Sequence, residues 1–326
     1  MRAHVFDIAL TTRFRGINRR QGILLEGPRG WAEWSPFPEY DDAEAASWLR
    51  AALEAATSDW PQPVRAEVPV NAIVPAVAPL AAAARVRESG CSTAKVKVAE
   101  RGQSLEDDIA RVSAVRQALG PAGLLRVDAN GGWGVDEAAT AIGELEQFGL
   151  EYAEQPCRDV ESLVALRRLL SARGIAVPIA ADESIRRAED PLLVRDAGAA
   201  DVAILKVQPL GGVRRCLELA EVLGMPVVVS SALETSVGLR AGVALAAALP
   251  ELPHACGLET GSLLLDDVAA HPLRARDGKL PVADLTVDPE ALLRTRADDE
   301  MARWWMQRLH RVSALLPEWP STKESM

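Results

Sequence analysis

Cysteine and histidine are scarce in this chain of 326 residues, with four of each. Cys91, Cys157, Cys216 and Cys256 form no C-x-x-C pair, and His4, His254, His271 and His310 are equally scattered. That spacing excludes a zinc finger and a disulfide scaffold. Positive charge is also in deficit: 36 Lys and Arg face 46 Asp and Glu, for a formal net charge of −10. Nucleic acid or an anionic membrane would need a concentrated basic surface, so neither is expected as a partner. No run is long and apolar enough to span a bilayer, and the opening MRAHVFDIALTTRFRG contains no unbroken apolar stretch ahead of a small-residue cleavage site. The expectation is a cytoplasmic protein with no obligate protein partner. With 48% hydrophobic and 25% charged residues, the composition excludes a disordered chain and supplies a large core.

From 65 to 280, short β-branched runs alternate with segments whose apolar residues recur at helical spacing, which predicts a parallel sheet. The predicted strands are 67–73, 94–98, 124–128, 150–154, 177–182, 202–207, 226–231 and 254–258. Between them, Leu105, Ile109, Val112, Val115 and Leu119 form one helical stripe, and Val135, Ala138, Ala139, Ile142 and Leu145 form another. Eight such units in roughly 200 residues fit a TIM-type (β/α) barrel. An open doubly wound sheet is less favoured, because no G-x-G-x-x-G follows the early strands. Residues 1–64 predict an α+β capping domain: strands in AHVFDIAL, QGILLEG and WAEWSP, a loop over TTRFRGINRR (11–20), then a helix over 42–56 with Asp41 as N-cap. After about residue 280 the alternation stops. The stretch RTRADDEMARWWMQRLHRVSALL predicts a helix packing back on the cap, followed by a frayed tail, PEWPSTKESM. The predicted organisation is therefore 1–64 cap, 65–280 barrel and 281–326 C-terminal segment.

Charges lie where a barrel strand should be apolar. Lys95 and Lys97 share one side of a strand, Asp128, Glu154 and Asp182 close the next three, and Lys206 sits in the one after. From Lys97 through Asp128, Glu154 and Asp182 to Lys206 the intervals are 31, 26, 28 and 24 residues, each about one βα unit. One register therefore repeats around the barrel, and the side chains converge at the mouth where TIM-barrel active sites lie. Three adjacent carboxylates repel one another and are costly to desolvate, which a divalent cation relieves. An all-oxygen donor set without His or Cys suits Mg²⁺, with Mn²⁺ as a substitute. Lys97 and Lys206 then flank a metal-bound carboxylate substrate from opposite walls.

Each element alone has a plainer reading. Asp182 could cap a helix, Glu154 could pair with a rim arginine, and Lys95 and Lys97 could snorkel. Arg126 is read equally as neutralising the acidic cluster or as meeting substrate. Asn130 before Gly131-Gly132 reads as a turn residue, and Ser230 and Ser231 as polar strand ends placed where a seventh loop would meet a ligand. Five coincidences in one register outweigh these separate readings. A His254/Cys256 nucleophile lacks a third orienting group, and a Lys206 Schiff base needs no carboxylate trio beside it.

The K-x-K at Lys95 to Lys97, RVDANGGW around Asp128, EYAEQP around Glu154, ADES around Asp182 and LKVQPLGG around Lys206 together resemble the enolase superfamily, and within it the muconate-lactonizing subgroup. SPFPEY (35–40) and SSALETSVG (230–238) are similar to that subgroup's actinobacterial dehydratases. The resemblance implies conversion of 2-succinyl-6-hydroxy-2,4-cyclohexadiene-1-carboxylate to 2-succinylbenzoate in menaquinone biosynthesis. It further implies that Asp128, Glu154 and Asp182 hold Mg²⁺, that Lys97 moves the proton α to the carboxylate, and that Lys206 stabilises from the other face. Enolase-superfamily sites that pair a Lys or His base with Mg²⁺ are a known pattern. Lys95, Arg126, Asn130, Ser230 and Ser231 are supporting candidates. Two features depart from the family pattern or leave it open: Glu259 stands where relatives usually carry glycine, and the arginines of the 11–20 loop lie where the family has a specificity lid. The same site also suits an N-succinylamino acid racemase or a dipeptide epimerase. A non-catalytic carboxylate-binding barrel would be expected to lack a lysine or a metal ligand, and none is missing.

Overall fold

The structure is a computed structural model that describes residues 1–187, 190–317 and 319. Three antiparallel strands open the chain: β1 (Arg2–Phe14), β2 (Ile17–Gly27) and β3 (Gly30–Trp34). The expected 11–20 loop is not a loop. Thr11 to Phe14 finish β1 and Ile17 to Arg20 begin β2, joined by a two-residue turn at Arg15-Gly16 with Phe14 opposite Ile17. Both turn residues have positive φ, 50° and 79°, which matches the twist of the flanking strands. Of the four arginines in 11–20, Arg20 is buried, at 1% exposure, and Arg13 and Arg19 are exposed.

Helix α1 (Asp42–Thr57) follows, its first turn capped by the Asp41 carboxylate accepting from the Glu44 amide at 2.7 Å. Its buried face carries Trp48 and Leu49, which join Trp34, Phe37 and Trp305 in a separate cluster. Trp305 comes from the other end of the chain. The middle of the predicted C-terminal stretch forms one helix, Asp299–Ser313, whose start is set by Asp298 capping the Met301 amide. Trp34 and Trp305 meet edge to face with ring centroids 5.6 Å apart. The frayed-tail reading falls largely on residues outside the described ones.

Strand β4 (Glu67–Pro69), paired antiparallel with Lys279–Pro281, leads into the barrel, which begins with β5 (Ala72–Val74), then α2 (Pro79–Ser89), β6 (Thr93–Lys97), α3 (Leu105–Leu119), β7 (Leu124–Asp128), α4 (Val135–Leu145) and β8 (Leu150–Glu154). It continues with α5 (Val160–Ala172), β9 (Ile179–Ala181), the single turn α6 (Glu183–Arg186), α7 (Leu193–Asp196), β10 (Val202–Lys206), α8 (Val207–Leu210), α9 (Val213–Leu223), β11 (Val227–Ser230) and α10 (Ser236–Ala248). Strands β5 to β11 form one seven-stranded parallel sheet in sequence order. The predicted eighth strand shrinks to two residues, yet these close the ring: Cys256 bridges Val70 and Gly257 bridges Ser230. The TIM-type barrel with a capping sheet is thus borne out.

The period of two sorts side chains cleanly. Ala94, Val96, Leu125, Val127, Ala153, Ala203 and Leu205 point outward into the large core shared with the helices. Tyr152, Ala180, Val202, Ile204 and Val228 fill the barrel interior. Lys95, Arg126 and Tyr152 are neighbours in strand register, and Lys97, Asp128 and Glu154 form the next layer toward the mouth. Among the described residues no helix is long and apolar enough to cross a membrane.

Candidate active site

Asp128, Glu154 and Asp182 end or follow β7, β8 and β9, and each is at most 1% exposed. Their partners are cations from flanking strands. Lys95 donates to both Glu154 oxygens at 2.8 and 2.7 Å and lies 3.5 Å from Asp128. Lys97 reaches Asp128 Oδ2 and Asn130 Oδ1, both at 2.5 Å. Lys206 donates to Asp182 Oδ2 at 2.6 Å, while Arg186 Nε takes Oδ1 at 2.9 Å. Glu154 therefore pairs with Lys95, not with a rim arginine, and the Asp182 side chain caps no helix.

Electrostatics show how crowded the acids are. Burial pushes the Glu154 carboxyl up to about 7, and the charges of Asp128 and Asp182 act in the same direction, against Lys95. Burial also opposes ionisation of Asp128, but Lys97 and Lys95 outweigh it and hold that carboxyl below the usual range. Asp182 is held down to about 2 because Arg186 and Lys206 overcome its burial. The Lys95 ammonium loses solvation, yet Glu154 and Asp128 stabilise its charge beyond that loss.

Among the described residues no group of three His, Cys, Asp or Glu is gathered tightly enough to hold a metal ion as it stands. Each carboxylate is instead closed by an ammonium or guanidinium. The donor set nevertheless fits a hard divalent cation: three oxygen-only side chains, fully buried, on consecutive strands and mutually repulsive.

The cavity over these groups measures only about 40 Å³ and is walled by Lys97, Lys206, Ser230, Ser231, Phe14 and Arg15, among others. Phe14 and Arg15 come from the β1–β2 turn, and the Phe14 ring centroid lies 5.3 Å from Lys97 Nζ. Asn130 is a turn residue, at φ 47°, and more. Its amide donates to Asp128 Oδ1 at 3.0 Å and its side chain joins Lys97 to Glu183. The Ser231 hydroxyl donates to the Gly257 carbonyl at 2.8 Å and meets Thr260 at 2.7 Å, while Ser230 lies 3.5 Å from the same carbonyl.

Arg126 touches neither the acids nor the cavity, although its charge still acts on Glu154. It lies one layer below the acids, pairs with Glu151 at 2.6 Å, and donates to Asn71 and to the Ala255 carbonyl. His254 meets Glu151 at 2.6 Å and Cys256 is fully buried, so neither forms a nucleophile at the mouth. Glu259 turns away from the cavity: it accepts from the Ala275 amide at 3.0 Å and lines a neighbouring hollow, while Thr260 faces the lysines.

Several contributors escaped the sequence reading. Gln155 accepts from the Asp182 and Ser184 amides at 2.9 and 3.1 Å and so fixes the backbone carrying Asp182. Arg186 and Tyr40 also contribute. Their mutual contact spans 146 residues of sequence, and no local pattern announces it.

Comparison with known proteins agrees with this geometry. Residues 79–289 match the family described as "Enolase C-terminal domain-like" and residues 5–56 the one described as "Enolase N-terminal domain-like". The chain is 59% identical over 309 residues to an o-succinylbenzoate synthase of Thermobifida fusca, covering 95% of each protein. It is 52% identical to the o-succinylbenzoate synthase of Mycolicibacterium smegmatis, covering 97% of this chain and 96% of that relative. Among solved structures, the muconate lactonizing enzyme of Pseudomonas putida superposes with a TM-score of 0.73 over 91% of this chain and 98% of that one, at 21% identity, a likeness of fold. The chain belongs to the enolase superfamily and groups within it with the o-succinylbenzoate synthases.

Proposed function

We propose that this enzyme is a dehydratase that converts 2-succinyl-6-hydroxy-2,4-cyclohexadiene-1-carboxylate into 2-succinylbenzoate and water, an o-succinylbenzoate synthase reaction. The observation that carries the reading is the placement of Lys97 and Lys206, from β6 and β10, in the walls of one cavity with three buried acids on the strands between them. The substrate itself is taken from the named relatives.

Asp128, Glu154 and Asp182 are the side chains that would hold Mg²⁺, with Mn²⁺ as a substitute. Bound there, the ion would stabilise negative charge building on the substrate carboxylate as the adjacent proton leaves. Lys97 Nζ takes that proton, and Asn130 and Asp128 fix its direction of approach. The electron pair of the broken C–H bond moves into the ring, the C–O bond to the hydroxyl breaks, and Lys97 returns its proton to the departing oxygen on the same face. Lys206 contributes positive charge from the opposite wall. Phe14 and Arg15 limit the access of water. Lys95 keeps Glu154 in place, and Ser230 and Ser231 contact substrate. The working organisation is a 1–64 cap, a 65–280 barrel and a 281–326 segment, acting in the cytoplasm on a small carboxylate without a nucleic-acid, membrane or obligate protein partner.

The test is incubation with the cyclohexadiene substrate and Mg²⁺ while the ultraviolet absorbance of the aromatic product is followed. Lys97→Ala should lower turnover by about 10²–10⁴-fold while leaving divalent-ion binding intact. A second reading follows from the same pair of lysines, since opposed bases suit an N-succinylamino acid racemase. Exchange of α-hydrogen with deuterated solvent in N-succinylamino acids, without aromatic product from the diene, would replace the first reading by the second.

A further inference from the structure

The Tyr40 hydroxyl belongs to the cap, yet it contacts two arginines that come from different elements around the active site. Arg15, at the tip of the β1–β2 turn, donates to it from Nη2 at 2.6 Å. Arg186, one turn beyond Asp182, donates to it from Nη1 at 2.9 Å. The phenol ring is not free to follow either of them. It is 5% exposed and packs edge to face on Phe37 and Trp48, with centroids 5.6 and 5.9 Å away.

Arg186 is held at three points. Nε donates to Asp182 Oδ1 at 2.9 Å, Nη2 to Glu183 Oε1 at 2.6 Å and Nη1 to Tyr40. A planar guanidinium with all three nitrogens engaged cannot turn without breaking one of these bonds. The carboxylate of Asp182 is thereby oriented from the cap, leaving Oδ2 to Lys206. Arg15 is fixed in a similar way, by Glu39 at 3.2 Å and by stacking 3.8 Å over the Phe37 ring. The turn that carries Arg15 also carries Phe14, which covers Lys97. A cavity of about 40 Å³ is too small for a substituted cyclohexadiene, so its walls, of which this turn is one, have to give when substrate enters.

We propose that Tyr40 is a positioning residue whose hydroxyl couples the β1–β2 turn over Lys97 to the orientation of Asp182, through Arg15 on one side and Arg186 on the other. The proposal rests on the reading of Asp182 as a metal ligand. Coupling of this kind is reciprocal. A divalent ion that fixes Asp182 also steadies the turn, and disturbance of the turn weakens the hold on the ion.

Tyr40→Phe removes the shared acceptor and keeps the ring. Partners one shell outside a metal ligand typically change metal affinity by about 10–100-fold, and Tyr40 lies one step further, so its loss should raise the Mn²⁺ dissociation constant by about 3–10-fold. Titration calorimetry with Mn²⁺ on the full chain measures this without turnover. A second readout follows the turn itself: trypsin cleavage after Arg13 and Arg19, both exposed, should slow about threefold when saturating Mn²⁺ is added to the parent. In Tyr40→Phe that slowing should vanish. Arg186→Lys retains a charge but not the three-point grip, and should reproduce both effects if Tyr40→Phe does not fold. Unchanged Mn²⁺ affinity in the variants, or cleavage that responds to Mn²⁺ equally with and without the hydroxyl, would overturn the coupling alone. A parent chain that binds no Mn²⁺ at all would overturn the metal reading and this inference with it.

Discussion

Replacement of Lys95 by methionine isolates one charge in the interior. The Lys95 ammonium makes two hydrogen bonds to Glu154, and the two side chains are 7% and 0% exposed. Methionine has a similar length and flexibility, so the change removes charge with little change in volume. Breaking a buried ion pair from one side costs about 3–5 kcal/mol, because the remaining charge is left unsolvated. That is a large share of the ~5–15 kcal/mol that holds an ordinary domain folded. In a chelating buffer, Lys95→Met should therefore lower the urea midpoint steeply. The deficit should shrink in acid. With Lys95 in place the Glu154 carboxyl already lies near 7 in the fold against an ordinary 4.5, and loss of Lys95 raises it further, so above 4.5 the folded variant keeps a proton that the unfolded chain has released and its stability falls as pH rises. Adding a divalent ion tests the same reasoning from the other side. An ion at one hundred times its dissociation constant stabilises by about 2.7 kcal/mol, and with no ammonium competing for Glu154 the variant should gain more than the parent at equal Mg²⁺. A loss under about 1 kcal/mol without metal, or equal Mg²⁺ gains in both proteins, would show that Lys95 and Glu154 do not form the buried pair described.

Glu33 provides a pH test away from the acids of the mouth. Burial pushes its carboxyl up to about 7 despite Arg20, and Glu234 adds to the rise. Stability should fall as pH climbs from 4.5 through about 7, and Glu33→Gln should flatten that slope in urea titrations. The amide fits with its oxygen toward the Thr235 and Gly238 amides and its nitrogen toward the Ser35 hydroxyl; an unchanged slope refutes the assignment. Gly212→Ala should destabilise by about 2–3 kcal/mol, from strain and the loss of a helix cap together. Gly212 has φ 133°, and an added Cβ would collide with Glu54 Oε2, the carboxylate that caps the Val213 and Arg214 amides from across the domain boundary. Wild-type urea stability in that variant would remove Glu54 from its role as a clasp. Arg308→Leu should cost about 1–3 kcal/mol, since the Phe37 and Tyr40 carbonyls would lose a buried donor, and an unaltered midpoint would count against that contact.

The barrel and its acids were legible because two periods coincide. Strand alternation puts Lys95, Arg126 and Tyr152 inside and Ala94, Val127 and Ala153 outside, and the βα interval repeats that choice from strand to strand. The β1–β2 turn was misread because its strands project with most of their side chains toward solvent, so no apolar alternation marks Thr11 to Arg19. The eighth strand was overextended because 254–258 follows the apolar pattern while only Cys256 and Gly257 pair with neighbours. Arg126 illustrates a different limit. Its place two residues before Asp128 fixed its face but not its depth, and depth decided that Glu151, not the acid cluster, became its partner. Tyr40 and Arg186 depend on how cap and barrel dock, which no local window encodes.

Docking also explains a charge balance that no single segment displays. Asp128, Glu154, Asp182 and Glu183 bring four negative charges to the mouth, and Lys95, Lys97, Lys206 and Arg186 bring four positive ones. Closed in this way, the protein can bury six of these groups and half-bury Lys97 and Glu183, since every acid has a cationic hydrogen-bond partner and desolvation is met by pairing. A divalent ion drawn to Asp128, Glu154 and Asp182 would have to displace Lys95, Lys97, Lys206 and Arg186 from those oxygens, and the cap would act on that exchange through the hold on Asp182 that passes through Tyr40.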